Sequence, residues 1–408
     1  MADHSTEWIL IILSSVIVIS YLFSIISNYI KVPSVLLLLA AGIVLRELAT
    51  KNDWRIPIPD HTVEYLGAIG LVMIVLEAGL DLKLGRDKLQ LINRSFLAAF
   101  FILVLSVAGV TAALYFLLHQ PVRDCIVYAI PLSIMSSSIV IPSLHHLSDN
   151  KKEFLVYEAS FSDILGILLF NYFTRDEIVS VNAIGTFFFN IIISLILSAI
   201  FSILLFIILT RSKTNVRFFL IFALLIILYE GGKLMNLPSL IIILVFGLLM
   251  NNWQLIQNII GKSKLRLQLK EEPVHKATHL LHSITAESSF LVRTFFFLLF
   301  GYSINLHAIF SSDIITVGSV VVIILFIVRF LYLRFLLKES VYPEVFFIPR
   351  GLITVLLFYK IPASYHPEKL QGGILFFVVI VTSLIMMLSM IFYRKKESDI
   401  IVEELMKR

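Results

Sequence analysis

The sequence predicts an all-α polytopic membrane protein with about 13 transmembrane helices. Two observations lead to this fold class. The chain is 59% hydrophobic and only 15% charged, whereas soluble domains are about 45–50% apolar and about 25% charged. Apolar stretches of about 20 residues, the length a helix needs to span a bilayer, follow one another along nearly the whole chain.

Each predicted span is an apolar run between polar or charged residues. The first begins at Trp8 after a polar start without a basic segment, so we expect it to be retained rather than cleaved. The longest polar connection, 256–285, is predicted to form a surface helix. The predicted spans are 8–28, 32–49, 62–82, 92–118, 123–147, 153–174, 181–210, 215–231, 237–255, 286–308, 313–337, 341–361 and 370–393.

Lysines and arginines are unevenly distributed between the two sides that these spans define. The side that holds the C-terminus collects most of the 33 basic residues. By the positive-inside rule, the C-terminus is cytoplasmic and the N-terminus lies outside, in a plasma or inner membrane. Basic cytoplasmic loops also account for the net charge of +5 without a nucleic-acid partner. Residues 394–408 then form a short cytoplasmic tail.

Two spans contain similar sequences. Leu76 to Leu82 and Leu299 to Leu306 both end with a small residue followed by apolar and polar residues and a leucine. These spans, the third and the tenth, are predicted to run in opposite directions, which favours an inverted repeat of spans 1–6 and 8–13. Chance similarity between two apolar helices is the alternative. The predicted transmembrane domain is 1–393, with repeat one at 8–174, a linker span at 181–210 and repeat two at 215–393.

Asp163 lies near the middle of span six, where a carboxylate costs several kcal/mol unless it is paired, protonated or hydrated. Glu158 precedes it in the same span, and the intervening helix places the two side chains roughly 140° apart. Glu158 is expected about 7 Å and Asp163 about 15 Å from the cytoplasmic end. We therefore expect different roles, with one acid paired to an arginine and the other titrating.

Two arginines share that depth. Arg293 lies about 10 Å into span ten and Arg350 about 14 Å into span twelve. Intramembrane acids are rare and usually mark ion or proton paths, which favours an ion path over four structural charges. The structural alternative stays open at this point.

Spans five and twelve carry helix-breaking sequences. The first contains Ser136, Ser137 and Ser138 before Pro142, and the second contains Pro349-Arg350-Gly351. Hydroxyl groups can satisfy backbone groups in an unwound stretch, and proline and glycine favour such a stretch. Helix ends near the midplane coordinate ions in many transporters. We therefore predict two broken, crossing helices at the depth of Asp163.

Several stretches, in chain order and across nearly the whole membrane part, resemble the monovalent cation:proton antiporters. Glu158 with Ser162-Asp163 resembles the motif in which an acid precedes an Asn-Asp pair. Phe290 to Gly301 resembles the arginine-bearing span of that family. The other similar stretches are Lys31 to Leu36, Leu71 to Leu82 and Pro349 to Thr354.

The resemblance implies that Asp163 binds a cation and a proton in turn, and that Glu158 and Arg293 form a structural ion pair. Arg350 would compensate charge at the second broken helix. The resemblance also implies a homodimer whose core domain moves like an elevator against a dimerisation domain. An arginine at position 293, with a non-acidic residue before Asp163, resembles the electroneutral branch of the family.

The chain departs from the family pattern at two places. Ser162 replaces the asparagine before the aspartate, and Ser136-Ser137-Ser138 replaces the Thr-Asp-Pro signature of the first broken helix. These serines are closer to the Ser-Ser-Thr of potassium-efflux relatives, so the transported ion stays open between Na⁺ and K⁺, with Li⁺ a further candidate. Loss of the acid also admits a rival interpretation, a non-transporting membrane sensor or effector built on an antiporter scaffold.

The predicted function is exchange of a monovalent cation for protons, with no enzymatic activity, no cofactor and no metal centre. Asp163 would hold either a proton or a dehydrated cation, and the hydroxyls of Ser162 and of Ser136 to Ser138 would supply neutral oxygen ligands. Membrane lipids are the other expected partners. An intramembrane aspartyl protease needs two facing aspartates on separate spans, conventionally with a Gly-x-Gly-Asp sequence, and the sequence contains no such motif.

Overall fold

The computed structural model describes most of the chain, and all regular structure among the described residues is helical, which confirms the predicted fold class. The described residues are 5–30, 32–52, 62–82, 88–174, 185, 189, 192–194, 196–204, 217–235, 237, 239–253, 271–304, 310–337, 341–365 and 372–393.

The main helices, in chain order, are α1 (Ser5–Ile30), α2 (Ser34–Lys51), α3 (Thr62–Asp81), α4 (Leu89–Leu118), α5 (Val122–Ser133), α6 (Ser137–Val140), α7 (Asp149–Phe173), α8 (Arg217–Leu234), α9 (Ser239–Asn251), α10 (Glu271–Ser303), α11 (Ser312–Leu331), α12 (Leu352–Tyr359) and α13 (Gly372–Phe392). A 3-10 turn at Ile141–His146 continues α6, and a π-helical turn at Tyr332–Leu337 continues α11.

Five helical stretches among the described residues are long and apolar enough to cross a membrane: Leu89–Leu118, Val122–Leu144, Thr278–Ser303, Ser312–Leu337 and Gly372–Phe392. The total of about 13 spans and the inverted repeat stay predictions. The predicted linker span at 181–210 lies largely outside the described residues, and the tail at 394–408 lies entirely outside them.

Helix α10 begins earlier than predicted. It starts at Glu271, well before the predicted start of span ten at residue 286, so part of the predicted surface connection forms the first turns of the same helix. Pro273 does not prevent this, because the N–H groups of a first helical turn have no intrahelical acceptor. Residues 254–270 of the connection lie outside the described part.

The chain forms two compact units. Unit 1 comprises Met1–Glu64, Leu91–Thr174 and Arg293–Arg408, and it contains α7 and both predicted broken helices. Within this unit α11 packs along α13, and Gly318 of α11 lies directly against the ring of Phe377. Gly42 of α2 and Gly301 of α10 meet at another close crossing, where a side chain at either position would collide with the opposing backbone.

Unit 2 comprises Tyr65–Gln90 and Arg175–Val292. Gly79 of α3 and Gly247 of α9 form a close crossing in this unit as well. At the end of α3, the Asp81 carboxylate lies 2.7 Å from the imidazole of His282 on α10. Contacts between glycine backbones permit short interhelical distances, which is a common way to pack helices tightly within a bilayer.

Candidate functional site

Helix α7 carries both intramembrane acids, and both are buried. Glu158 is 1% exposed and Asp163 is 4% exposed, so each carboxylate must find its partners inside the protein. The predicted divergence of the two side chains is confirmed, because they bond to different elements. Glu158 contacts α11, whereas Asp163 contacts the start of α6.

Glu158 is fully engaged by Arg329. Two parallel hydrogen bonds join them, with Nη1 donating to Oε1 at 2.6 Å and Nη2 donating to Oε2 at 2.9 Å. Arg329 also donates from Nε to the carbonyl of Glu344 at 2.7 Å. Both side chains of the ion pair are 1% exposed. Such two-pronged pairing fixes geometry and neutralises a buried carboxylate.

The predicted partner of Glu158 was therefore wrong. Arg293 is half-buried on α10, and the guanidinium that binds Glu158 is that of Arg329. Depth alone does not say which helix is the neighbour. Arg329 has a similar depth to Arg293, since it lies about 12 Å from the cytoplasmic end of predicted span eleven. The packing of α11 beside α7 decides between the two arginines, and the sequence does not reveal it.

The first predicted break is confirmed. Helix α5 ends at Ser133 and α6 begins at Ser137, with extended backbone at Ile134 and Ser136. Side chains of α7 satisfy two of the freed N–H groups, since Met135 donates to Ser162 Oγ at 2.9 Å and Ser137 donates to Asp163 Oδ2 at 3.2 Å. The unwound segment is thus bonded to the helix that carries the two acids.

The second predicted break is also confirmed. The backbone from Phe347 to Gly351 is not helical, and α12 begins at Leu352. The two breaks meet, because the N–H of Ser136 donates to the carbonyl of Pro349 at 3.0 Å. Ser136 also lies against Gly351, where a Cβ atom would collide with its hydroxyl. The absence of a side chain at Gly351 therefore allows the two unwound segments to cross.

Arg350 stabilises this crossing. Its Nε donates to the carbonyl of Leu132 at 2.7 Å and its Nη1 donates to the carbonyl of Ile348 at 2.9 Å. Leu132 lies in the last turn of α5, where carbonyl groups lack intrahelical partners and carry partial negative charge. The guanidinium thus lies at the negative end of a half-helix, and its side chain is 2% exposed.

The predicted oxygen ligands occupy different positions around Asp163. Oδ2 accepts the Ser137 bond, while Oδ1 is buried and has no hydrogen-bond partner among the described residues. Ser162 Oγ faces the N–H of Met135, and the hydroxyls of Ser136 and Ser138 share a hydrogen bond of 2.9 Å. The structure therefore brings all four serines to the break, but Ser137 is the one directly bonded to Asp163.

A small cavity with room for about one water molecule lies beside the Glu158–Arg329 pair. The polar residues of its lining are Ser133, Glu158, Ser162, Arg329 and Arg350. All of these polar groups belong to unit 1. Among the described residues, no group of three His, Cys, Asp or Glu side chains could hold a metal ion.

Comparison with known proteins bears on the family and on the fold. The family model described as "Sodium/hydrogen exchanger, transmembrane" matches residues 13–393. The fold is similar to a structure at pH 8 of the sodium proton antiporter MjNhaP1 from Methanocaldococcus jannaschii, with a TM-score of 0.67 and 16% identity over 95% of this chain and 98% of that chain. An electron-microscopy map of the same antiporter gives a TM-score of 0.66 and 18% identity over 96% and 99% of the two chains.

At these identities the structural likeness establishes the fold. No curated protein sequence matches the chain. The family model covers nearly the whole chain, including α7, both broken helices and Arg329. The chain therefore belongs to the sodium/hydrogen exchanger family.

Proposed function

We propose that this protein exchanges a monovalent cation, Na⁺ or K⁺, for protons, with Asp163 as the shared binding group. One observation carries the proposal: Asp163 is buried at a helix break, with one oxygen bonded to Ser137 and the other without a partner among the described residues. A buried carboxylate in this state needs a proton or a cation to balance its charge. Competition between the two at one site couples their movements.

The ligands for the cation are proposed to be oxygens at the break. Oδ1 of Asp163 supplies the charge, and hydroxyl oxygens of Ser136, Ser137, Ser138 and Ser162 supply neutral coordination. Oxygen ligands suit hard cations. The hydroxyls now bonded to each other or to backbone N–H groups would turn toward the cation when it binds.

Glu158 and Arg350 are proposed to be fixed charges. Arg329 neutralises Glu158, and Arg350 neutralises the end of α5, so neither has to change charge during the cycle. One titrating acid then trades one proton for one monovalent cation, and exchange is electroneutral. The elevator-type movement and the homodimer implied by the resemblance complete the proposal, as does an N-out, C-in placement in a plasma or inner membrane with its lipids.

A rival function has one observation in its favour. The first broken helix carries serines where the antiporters have an acid, so this segment supplies no carboxylate to the site. A non-transporting sensor or effector could keep the scaffold and the Glu158–Arg329 pair without exchange. Transport itself separates the two interpretations.

The test is a pH-sensitive dye assay in everted membrane vesicles, with Na⁺, K⁺ and Li⁺ added in parallel. Exchange by the wild-type protein that disappears in Asp163→Asn supports the proposal, and the cation series identifies the substrate. Glu153→Gln is the matched control, since it removes a half-buried acid from the first turns of the same helix. Vesicles whose pH does not respond to any of the three cations would favour the sensor.

A further inference from the structure

Glu344 is another buried acid of unit 1, and the proposed exchange site does not use it. It lies on the short turn Glu344–Phe346 that leads into the second break, and it is 7% exposed. Its Oε1 lies 2.8 Å from Nζ of Lys151, and its backbone carbonyl accepts the Arg329 bond described above. Glu344 therefore lies between the surface lysine and the buried Glu158–Arg329 pair.

The ammonium group of Lys151 contacts oxygens of both Glu344 and Tyr342. Besides the Glu344 carboxylate, it contacts the carbonyl of Tyr342 at 3.1 Å. The second carboxylate oxygen, Oε2 of Glu344, is buried and has no hydrogen-bond partner among the described residues. An ammonium is a compact monovalent cation, so this oxygen-lined site already holds a group of the charge that an exchanger transports.

The two ion pairs of α7 differ in how readily they can open. Both side chains of the Glu158–Arg329 pair are 1% exposed, whereas the side chain of Lys151 is 21% exposed and that of Glu344 is 9% exposed. Lys151 is the partner that can reach water with its ammonium, but leaving the buried Glu344 carboxylate uncompensated is costly. Glu344 stays buried when this happens, and its carboxylate then requires a replacement positive charge.

By the predicted orientation, this pair lies at the cytoplasmic ends of spans six and twelve. We propose that Glu344 is a second cation site, which receives the monovalent cation from the cytoplasm before it reaches Asp163, and that the Lys151 ammonium is a tethered competitor for that site. Its chemistry is that of an alkali cation held by carboxylate and carbonyl oxygens. The inference rests on the proposed exchange function for its place in transport.

A tethered competitor and a structural ion pair predict different effects of substitution on the KM for the cation. Removing either partner of a structural ion pair weakens the same contact, so both substitutions change function in one direction. Removing a competitor strengthens cation binding, whereas removing the ligand weakens it. The two sides of the Lys151–Glu344 pair should therefore have opposite effects on the cation KM at the cytoplasmic face.

The experiment compares Lys151→Gln, Glu344→Gln and the control Lys152→Gln, which removes the neighbouring exposed lysine. The KM for Na⁺, and in parallel for K⁺, is measured in everted vesicles, which expose the cytoplasmic face, and in right-side-out vesicles. We expect Lys151→Gln to lower the cytoplasmic KM about fivefold and Glu344→Gln to raise it about tenfold. The KM at the opposite face and the values for Lys152→Gln should stay at wild type.

A change in the same direction for both variants, or no change at the cytoplasmic face, would overturn the proposal. If Glu344→Gln does not fold, Lys151→Gln alone decides, because a raised or unchanged KM contradicts a competitor.

A second measurement separates this inference from the exchange function. In purified Asp163→Asn protein, Na⁺ should still raise the unfolding temperature. The rise should be larger when Lys151→Gln is added to this variant and absent when Glu344→Gln is added. If Na⁺ does not raise the unfolding temperature of Asp163→Asn itself, there is no separate site.

Discussion

Two buried carboxylates on one helix, those of Glu158 and Asp163, differ in their hydrogen-bond partners. Glu158 has both oxygens bonded to a single guanidinium, and that guanidinium is itself held by the carbonyl of Glu344. Asp163, a little more than one turn away, has one bond to a backbone N–H and one buried oxygen without a partner among the described residues. Their exposure is nearly equal, so burial alone does not separate them.

The difference lies in which element each acid faces. Glu158 faces α11, an intact helix that carries an arginine, whereas Asp163 faces an unwound segment whose groups are hydroxyls and backbone amides. A carboxylate that is paired with the guanidinium of a neighbouring helix has a fixed counter-charge and cannot exchange it. A charge left to small mobile cations is costly in isolation and can therefore be coupled to transport.

The largest expected effect follows from removing the exchangeable charge. Asp163→Asn should abolish cation-dependent proton flux, because an amide of nearly the same volume can neither release a proton nor balance a cation. Folding should be retained, since the Asn side-chain oxygen can still accept the Ser137 N–H. Flux in vesicles and the elution volume of the purified protein measure the two properties. Cation-dependent flux in the folded variant would remove Asp163 from the mechanism.

Breaking the fixed pair should instead damage the fold. Glu158→Gln or Arg329→Gln strands a buried charge, which costs about 3–5 kcal/mol. Each single variant should therefore lower the unfolding temperature and the folded yield, and the double variant should recover part of both. Arg293→Gln is the control from the rejected pairing, and combining it with Glu158→Gln should give no recovery. Recovery with Arg293 and not with Arg329 would reverse the assignment.

The sequence predicted the elements better than it predicted their partners. Proline, glycine and serine place the two breaks correctly, because these residues act locally on the backbone. The acids of α7 are also found locally, since a carboxylate in an apolar span stands out. The sequence does not distinguish Arg329 from Arg293 as the partner of Glu158, because the choice depends on which helix packs beside α7, and that is a long-range property of the fold. Glu344 lies only about 5 Å from the cytoplasmic end of predicted span twelve, a depth at which the sequence alone does not distinguish a buried acid from one that reaches water.

The crossing of the two breaks gives a prediction of intermediate size. In Gly351→Ala the new Cβ atom would collide with Ser136 and approach Ile139 at 2.9 Å. Both belong to the segment that faces Asp163, so overpacking should destabilise the fold by about 1–3 kcal/mol and slow exchange. Unfolding temperature and flux are the measurements.

Gly231→Ala is the matched control for this change. It lies inside α8 with nothing near the added methyl group, and alanine favours a helix over glycine by about 0.5–1 kcal/mol. The control should therefore be neutral or slightly stabilising. Equal losses in the two variants would show that the tight crossing at Gly351 is not what limits the site.

The smallest expected effect is none at all, and it tests whether Glu158 is truly fixed. If Asp163 is the single titrating acid on the ion path, one proton trades for one monovalent cation and no net charge crosses. A membrane potential, which acts with about 2.3 kcal/mol per charge per 100 mV, should then leave the balance point unchanged. Purified protein in liposomes, with Na⁺ as substrate and the potential clamped by valinomycin and K⁺, gives the pH at which net flux vanishes. A null point that moves with voltage would mean that a second acid titrates.

The double variant Glu158→Gln with Arg329→Gln would then identify this acid. If the voltage dependence disappears in the double variant, Glu158 is the second titrating site. If the voltage dependence persists, Glu344 becomes the candidate.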